Sequence, residues 1–145
     1  MRTEPFDTEV IERYLRARGI RSFRGHHDGE SFFIMPVDHS RLHVHLGPTP
    51  DRPDVCTIRV TPACFFPAEE GARLRGLTAR WSFANPCAHA IVHESSDPTR
   101  VGVDVEYKGS VTCYEEFMYF ADHAIESATK LFRELTRTQA LADAS

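Results

Sequence analysis

No run of the sequence approaches the roughly 18 consecutive apolar residues that a membrane-spanning helix needs, and no membrane partner is expected. Nor is there a basic excess: 17 Lys and Arg stand against 21 Asp and Glu, a net charge of −4. That balance argues against a nucleic-acid binder driven by phosphate contacts, which carries a basic surplus on at least one face. The four cysteines, Cys56, Cys64, Cys87 and Cys113, form no C-x-x-C and are irregularly spaced, so they read as free thiols. A phosphate-binding loop, a dinucleotide fingerprint, His-Glu-x-x-His and Gly-x-Ser-x-Gly are all lacking, and no cofactor is expected. The opening Met1-Arg2-Thr3-Glu4-Pro5-Phe6-Asp7 is polar and acidic, without the basic start and apolar stretch of a secretory signal, so a cytoplasmic protein is expected.

What is present suits one domain over residues 1–145. Leu, Ile, Val and Phe make up about 23% of the chain, above the level of about 20% that marks disorder. Val10, Ile11, Tyr14 and Leu15 predict a first helix from Asp7 or Thr8 to Arg18, ended by Gly19 in a left-handed conformation. The nearby Arg13, Arg16, Arg18, Arg21 and Arg24 read first as a solvated face. Arg21–Gly25 reads as a short strand and His27-Asp28-Gly29 as a tight turn. Ser31–Val37 is apolar on both faces, which predicts a central strand or one covered on both sides. Arg41–Gly47 alternates, with Leu42, Val44 and Leu46 inward and His43 and His45 outward. Pro48, Pro50 and Pro53 predict a loop rather than a strand interior. Asp54–Thr61 completes four strands.

A second helix is predicted over Ala68 to about Phe83, stopped by Asn85-Pro86. Cys87–Glu94 and Arg100–Tyr107 form a hairpin, with Val101, Val103 and Val105 on one face. Thr112 and Glu115 suggest a capping box for a last helix. Its stripe is Tyr114, Phe117, Met118, Ala121, Ile125, Ala128, Phe132 and Leu135. The tail 136–145 is expected to fray. The order α-β-β-β-β-α-β-β-α, with short hairpin connections, gives an α+β fold: a mostly antiparallel sheet of about five to six strands with three helices.

In this order the chain resembles the YbjN family of bacterial sensory transduction regulators, whose domains are similar in fold to type III secretion chaperones. The resemblance rests on the opening helix with Ile11, Leu15 and Gly19 before an aromatic strand and the Asp28-Gly29 turn. It continues in a middle helix ending in Trp81 and followed by Phe83 and Pro86, then the hairpin Ala88–Tyr107 and a long helix from about Val111. It covers roughly residues 6–135, and Ser82 stands where the family often has Asn after the tryptophan. The resemblance implies a non-enzymatic protein, often a dimer, that works by binding other proteins.

Two classes of function follow. The first is an interaction module that forms a homodimer and binds a client or regulatory protein segment, with Phe33, Met35, Tyr119 and Phe120 as contact residues. The second is a metal- or pH-responsive protein. His43 and His45 share a strand face, as do His89 and His93, and if the two strands were neighbours four imidazoles would line one surface. Five of the eight histidines, His26, His27, His39, His43 and His45, fall within twenty residues. Paired Asp104 and Glu106 read as solvated, and Cys56 or Cys87 with His89 lacks the oxyanion loop that nucleophilic catalysis needs.

Overall fold

The computed structural model describes residues 8–25, 29–38 and 40–144, with the backbone alone at 8, 53 and 137–144. The expected Asp7 or Thr8 cap, the histidines at 26, 27 and 39, and Asp28 of the first turn lie outside what is described. Helix α1 spans Thr8–Ala17. Gly19 follows at φ 65, and the Ile20 amide donates back to the Leu15 carbonyl, closing the helix as its left-handed residue requires. Strands β1 (Phe23–Arg24), β2 (Ser31–Val37), β3 (Ser40–Thr49), β4 (Arg52–Pro62) and β5 (Phe66–Pro67) come next. A 3-10 turn, Ala68–Glu70, leads into α2 (Gly71–Ala84). β6 (Ala88–Glu94), β7 (Arg100–Ser110) and α3 (Tyr114–Ala144) complete the chain. The helical backbone of α3 continues nine residues past Leu135, the last buried apolar residue among those whose side chains are described.

All seven strands join one antiparallel sheet. Its spatial order is β1-β2-β3-β4-β7-β6, with the two-residue β5 pairing the start of β7. This is the expected α+β fold with three helices; the additional strand is the β5 bridge, too short to register in the residue pattern. The proline stretch departs from expectation. Pro48 lies in β3 opposite Cys56 and Pro53 lies in β4, so only Pro50-Asp51 turns the chain. A register shift between Pro48 and Thr49 breaks the ladder there, so the missing proline donors interrupt little that the bulge does not.

The helices all pack on one face. Phe33, Val44, Ile58, Val105 and Tyr107 point into that side and are buried against Ile11, Tyr14, Leu74, Phe117 and Leu131. Trp81 of α2 meets the Tyr107 ring edge-on, and the Tyr107 hydroxyl bonds Ser127 of α3, so β7 is tied to two helices at one residue. Gly109 matters for the same packing. A Cβ there would sit 2.7 Å from the Phe120 ring, so the aromatic lies flat against bare backbone. The α3 start is held as foreseen in kind but by a different acid. Thr112 donates from its hydroxyl and amide to Glu116, not Glu115, because the helix begins at Tyr114 and its third residue is the one that reaches back.

α1 and α3 are joined by a polar clamp. The Tyr14 hydroxyl donates to Asp122 at 2.5 Å, and Arg18 donates to both oxygens of the same carboxylate. Partial burial pushes the Asp122 carboxyl up, but the hydrogen bonds from Arg18 and Tyr14 and the guanidinium charge outweigh it and hold the carboxyl below its ordinary value. A depressed carboxyl stabilises the fold above its unfolded pKa, and the contribution is lost as pH falls through the folded one. Asp122→Asn is therefore expected to cost about 1 kcal/mol at neutral pH, a value discounted because the pair is partly solvated. The gap to wild type should narrow between neutral pH and about pH 3, as read by urea melts at the two pH values. An equal gap at both would detach the clamp from the carboxylate's charge.

Candidate interaction face

Because the helices share one side, the other side of the sheet carries no helix among the described residues. Alternation along each strand decides what stands on it. β2 presents Phe32 and Ile34, β3 presents His43 and His45, and β4 presents Thr57 and Arg59. β7 presents Asp104, Glu106 and Lys108, and β6 presents His89, Ile91 and His93. The register links one residue per strand into a row across six strands: Phe23, Phe32, His45, Arg59, Glu106 and His89. At one end the Phe23 and Phe32 rings lie 5.4 Å apart, and the His45 ring stacks on Phe32 at 5.4 Å. Phe23, Ile34 and Ile91 remain 52%, 44% and 46% exposed on this face.

The polar groups of this face are mostly paired along the sheet. His45 Nδ1 lies 3.2 Å from the Glu30 carboxylate, whose chain crosses over Gly47. His93 Nε2 lies 3.2 Å from Asp104, and the ring sits over Gly102, where a Cβ would meet it at 2.5 Å. Lys108 pairs with Glu106 at 3.4 Å. The His93 imidazole is held above its ordinary pKa, first by its hydrogen bond to the Glu94 carbonyl and then, against partial burial, by the Asp104 charge. A cleft of about 190 Å³ opens beside His45, Thr57, Arg59 and Lys108.

The sequence-derived contact residues fare unevenly. Phe33 is 2% exposed and belongs to the core, so it is not a contact residue: it faces the helices, and its neighbours Phe32 and Ile34 face out. Met35 and Phe120 are half-buried and pack against the same core. Tyr119 is 73% exposed on the outer side of α3. Ser31–Val37 was expected to be central or covered on both faces; it is second from the edge and covered on one. Its outward aromatics and aliphatics are the signal of the bare face, legible only once the helices are known to share a side.

The four histidines do share a face, but β3 and β6 are not neighbours. β4 and β7 lie between them, so His45 and His89 stand about 14 Å apart, three strand spacings. One zinc ion needs its nitrogens at about 2.0–2.1 Å and cannot bridge that gap. No group of three or more His, Cys, Asp or Glu close enough for a metal occurs among the described residues. Cys56 is buried on the helix side of the sheet, and burial pushes its thiol to about 12, so it cannot serve as a nucleophile with His89 on the opposite face. Cys64, Cys87 and Cys113 are exposed free thiols.

Among solved structures the chain is similar to YbjN, "a putative transcription regulator from E. coli", with a TM-score of 0.69 over 90% of this chain and 92% of that one. The fold is YbjN-like. Sequence identity to YbjN is 13%, so the likeness lies in architecture. No protein-family model and no curated protein matches the chain. Ser82, the departure from the YbjN family pattern, has a structural task here: its hydroxyl accepts the Ala90 amide at 2.9 Å, and the Asn85 carbonyl accepts that of Ala88. Both bonds cover the outer rim of β6, the last strand of the sheet. No helix is long and apolar enough to cross a membrane, among the described residues.

Proposed function

We propose that this chain is a non-enzymatic, cytoplasmic interaction module of regulatory or chaperone-like type, acting on a protein segment as a homodimer built on the bare sheet face. The observation that carries the reading is the self-complementary row across that face. A two-fold axis between β4 and β7, parallel to the strands, sets Arg59 against the second copy's Glu106, and the reverse. The four strands that this axis overlays, β3, β4, β7 and β6, are spaced at about 4.8 Å and span roughly 15–20 Å, toward the lower end of the scale on which standard interfaces bury about 800 Å² per partner. The regulator description of YbjN agrees with this class.

Light scattering after gel filtration tests it. The expected mass is twice 16.5 kDa, falling to a single chain in the Ile34→Asp/Ile91→Asp double variant. A carboxylate buried at position 91, opposite the copy's β3, costs several kcal/mol of association, enough for at least about 100-fold in Kd. Tyr119→Asp should leave the dimer intact. A wild-type monomer at high concentration would remove the homodimer, and a dimer broken by Tyr119→Asp alone would move the interface to α3.

A further inference from the structure

One rim of the sheet leaves strand backbone open. β1 pairs only Phe23 with Phe32 and Arg24 with Ser31, and the Gly25 amide donates to the Glu30 carbonyl at 2.8 Å. Backbone polar groups alternate sides along a strand, so those of Phe32, Ile34 and Pro36 point the same way as the Glu30 carbonyl, away from β3. β1 stops at Phe23, so the Ile34 amide and carbonyl and the Pro36 carbonyl meet no strand among the described residues. The opposite rim differs: Ala88 and Ala90 of β6 are covered by the Asn85 and Ser82 bonds. On the bare face the open stretch carries Ile34 and, in line with it, Phe23, which are 44% and 52% exposed. The axis proposed for the homodimer overlays β3, β4, β7 and β6, so β1 and β2 lie outside it and stay uncovered.

The charge at this edge runs against that of the chain. The ionic side chains described on residues 20–25 and 29–38 are Arg21, Arg24, Glu30 and Asp38, and Arg41 is the β3 partner of Pro36. Glu30 faces His45, and Asp38 pairs with Arg133 of α3. Arg21, Arg24 and Arg41 are exposed and have no ion pair among the described residues. A chain of net charge −4 thus brackets its open edge with positive charge. An open edge is a template for another strand, and charged side chains and proline are the means of refusing the wrong one. Two copies pairing edge to edge would bring these arginines against their like, so a second copy is disfavoured there and an acidic strand is favoured. We infer that the β2 edge from Ile34 to Pro36 seats an extended, acidic segment of another protein, added antiparallel to β2 in line with β1. This rests on the interaction-module reading and gives the protein segment its seat and its chemistry. The segment's amide and carbonyl opposite Ile34 complete the two bonds that β1 leaves unmade. Its side chain there is apolar and lies against Ile34 and Phe23. Its flanking carboxylates face the arginines, which set the choice of segment more than the strength of its binding.

Fluorescence anisotropy of a labelled heptapeptide, Glu-Glu-Thr-Val-Thr-Glu-Glu, titrated with the full chain tests the seat. Saturable binding at one peptide per chain is expected, and none of the counterpart Lys-Lys-Thr-Val-Thr-Lys-Lys. N-methylation of the central valine removes the amide that the Ile34 carbonyl would accept, and should raise Kd at least about 10-fold. Arg21→Glu/Arg24→Glu should raise it at least about 10-fold at low salt, with far-UV circular dichroism confirming the fold. No binding of the acidic peptide, equal binding of the lysine or the N-methylated peptide, or binding indifferent to the two arginines overturns the seat. Light scattering on the same samples reads the homodimer separately, since Arg21 and Arg24 lie outside the overlaid strands. A dimer that does not take the peptide overturns the seat alone, and a monomer that takes it overturns the homodimer alone.

Discussion

Phe33→Asp is expected to leave the chain unfolded at neutral pH, whereas Ile34→Asp one residue later leaves it folded. Phe33 is 2% exposed and packs among the helices, while Ile34 points from the opposite face of β2 and is 44% exposed. Removing a buried phenylalanine costs about 3–5 kcal/mol in lost transfer energy and cavity. The aspartate adds a carboxylate with no cation or donor to receive it, a further cost of several kcal/mol unless it protonates. Together these are comparable to the roughly 5–15 kcal/mol that holds a domain folded. Ile34→Asp exchanges an exposed side chain on a solvated face and should shift monomer stability by less than about 1 kcal/mol. Circular dichroism and urea melts at neutral pH read both. A stable Phe33→Asp with an unfolded Ile34→Asp would mean that β2 is displaced by one residue, since a single step exchanges the two faces.

The same contrast shows where the amino-acid pattern stops being informative. Alternation in Leu42, Val44 and Leu46 against His43 and His45 is a local signal, and the strand obeys it. Gly19 after Leu15 is equally local, and it ends α1 as expected. β2 has no alternation to read, because Phe32 and Ile34 are as apolar as Phe33 and Met35. Which side is buried depends on where α1, α2 and α3 land, a non-local fact. The histidine question turned on strand order. Two hairpins, β3–β4 and β6–β7, are each visible in the sequence, yet nothing in either says that β7 rather than β6 joins β4. That choice puts the two histidine pairs on one face with two strands between them, removing a shared metal while keeping a shared solvent surface. The shift from Glu115 to Glu116 is smaller and of the same kind: the capping acid is counted from the first helical residue, which the pattern locates only to within a position or two.

The largest effect on the helix side should come from Phe117→Ala. α3 lies on the sheet through small residues: Ala121, Ala124 and Ala128 are fully buried along its inner stripe, which lets the helix approach the strands closely. Phe117 is the large side chain of that stripe in the first turn, with no exposed surface, and the Tyr14 ring of α1 meets it edge-on at 5.3 Å. It therefore fills the junction of α1, α3 and the sheet. An alanine leaves a void that three elements border, and the rigid strands beneath cannot close it. The expected loss is about 3–5 kcal/mol in urea unfolding with the m-value unchanged. Tyr14 would then keep its bond to Asp122 but lose its aromatic partner, so Phe117→Ala and Asp122→Asn should not add: the double variant is expected to differ from the sum of the singles by about 0.5 kcal/mol or more. Tyr119→Ala, two residues on and pointing to solvent, should change stability by less than about 0.5 kcal/mol. A loss below about 1 kcal/mol for Phe117→Ala would show that α1 and α3 are docked independently, and that the Tyr14–Asp122–Arg18 clamp rather than the aromatic junction holds them together.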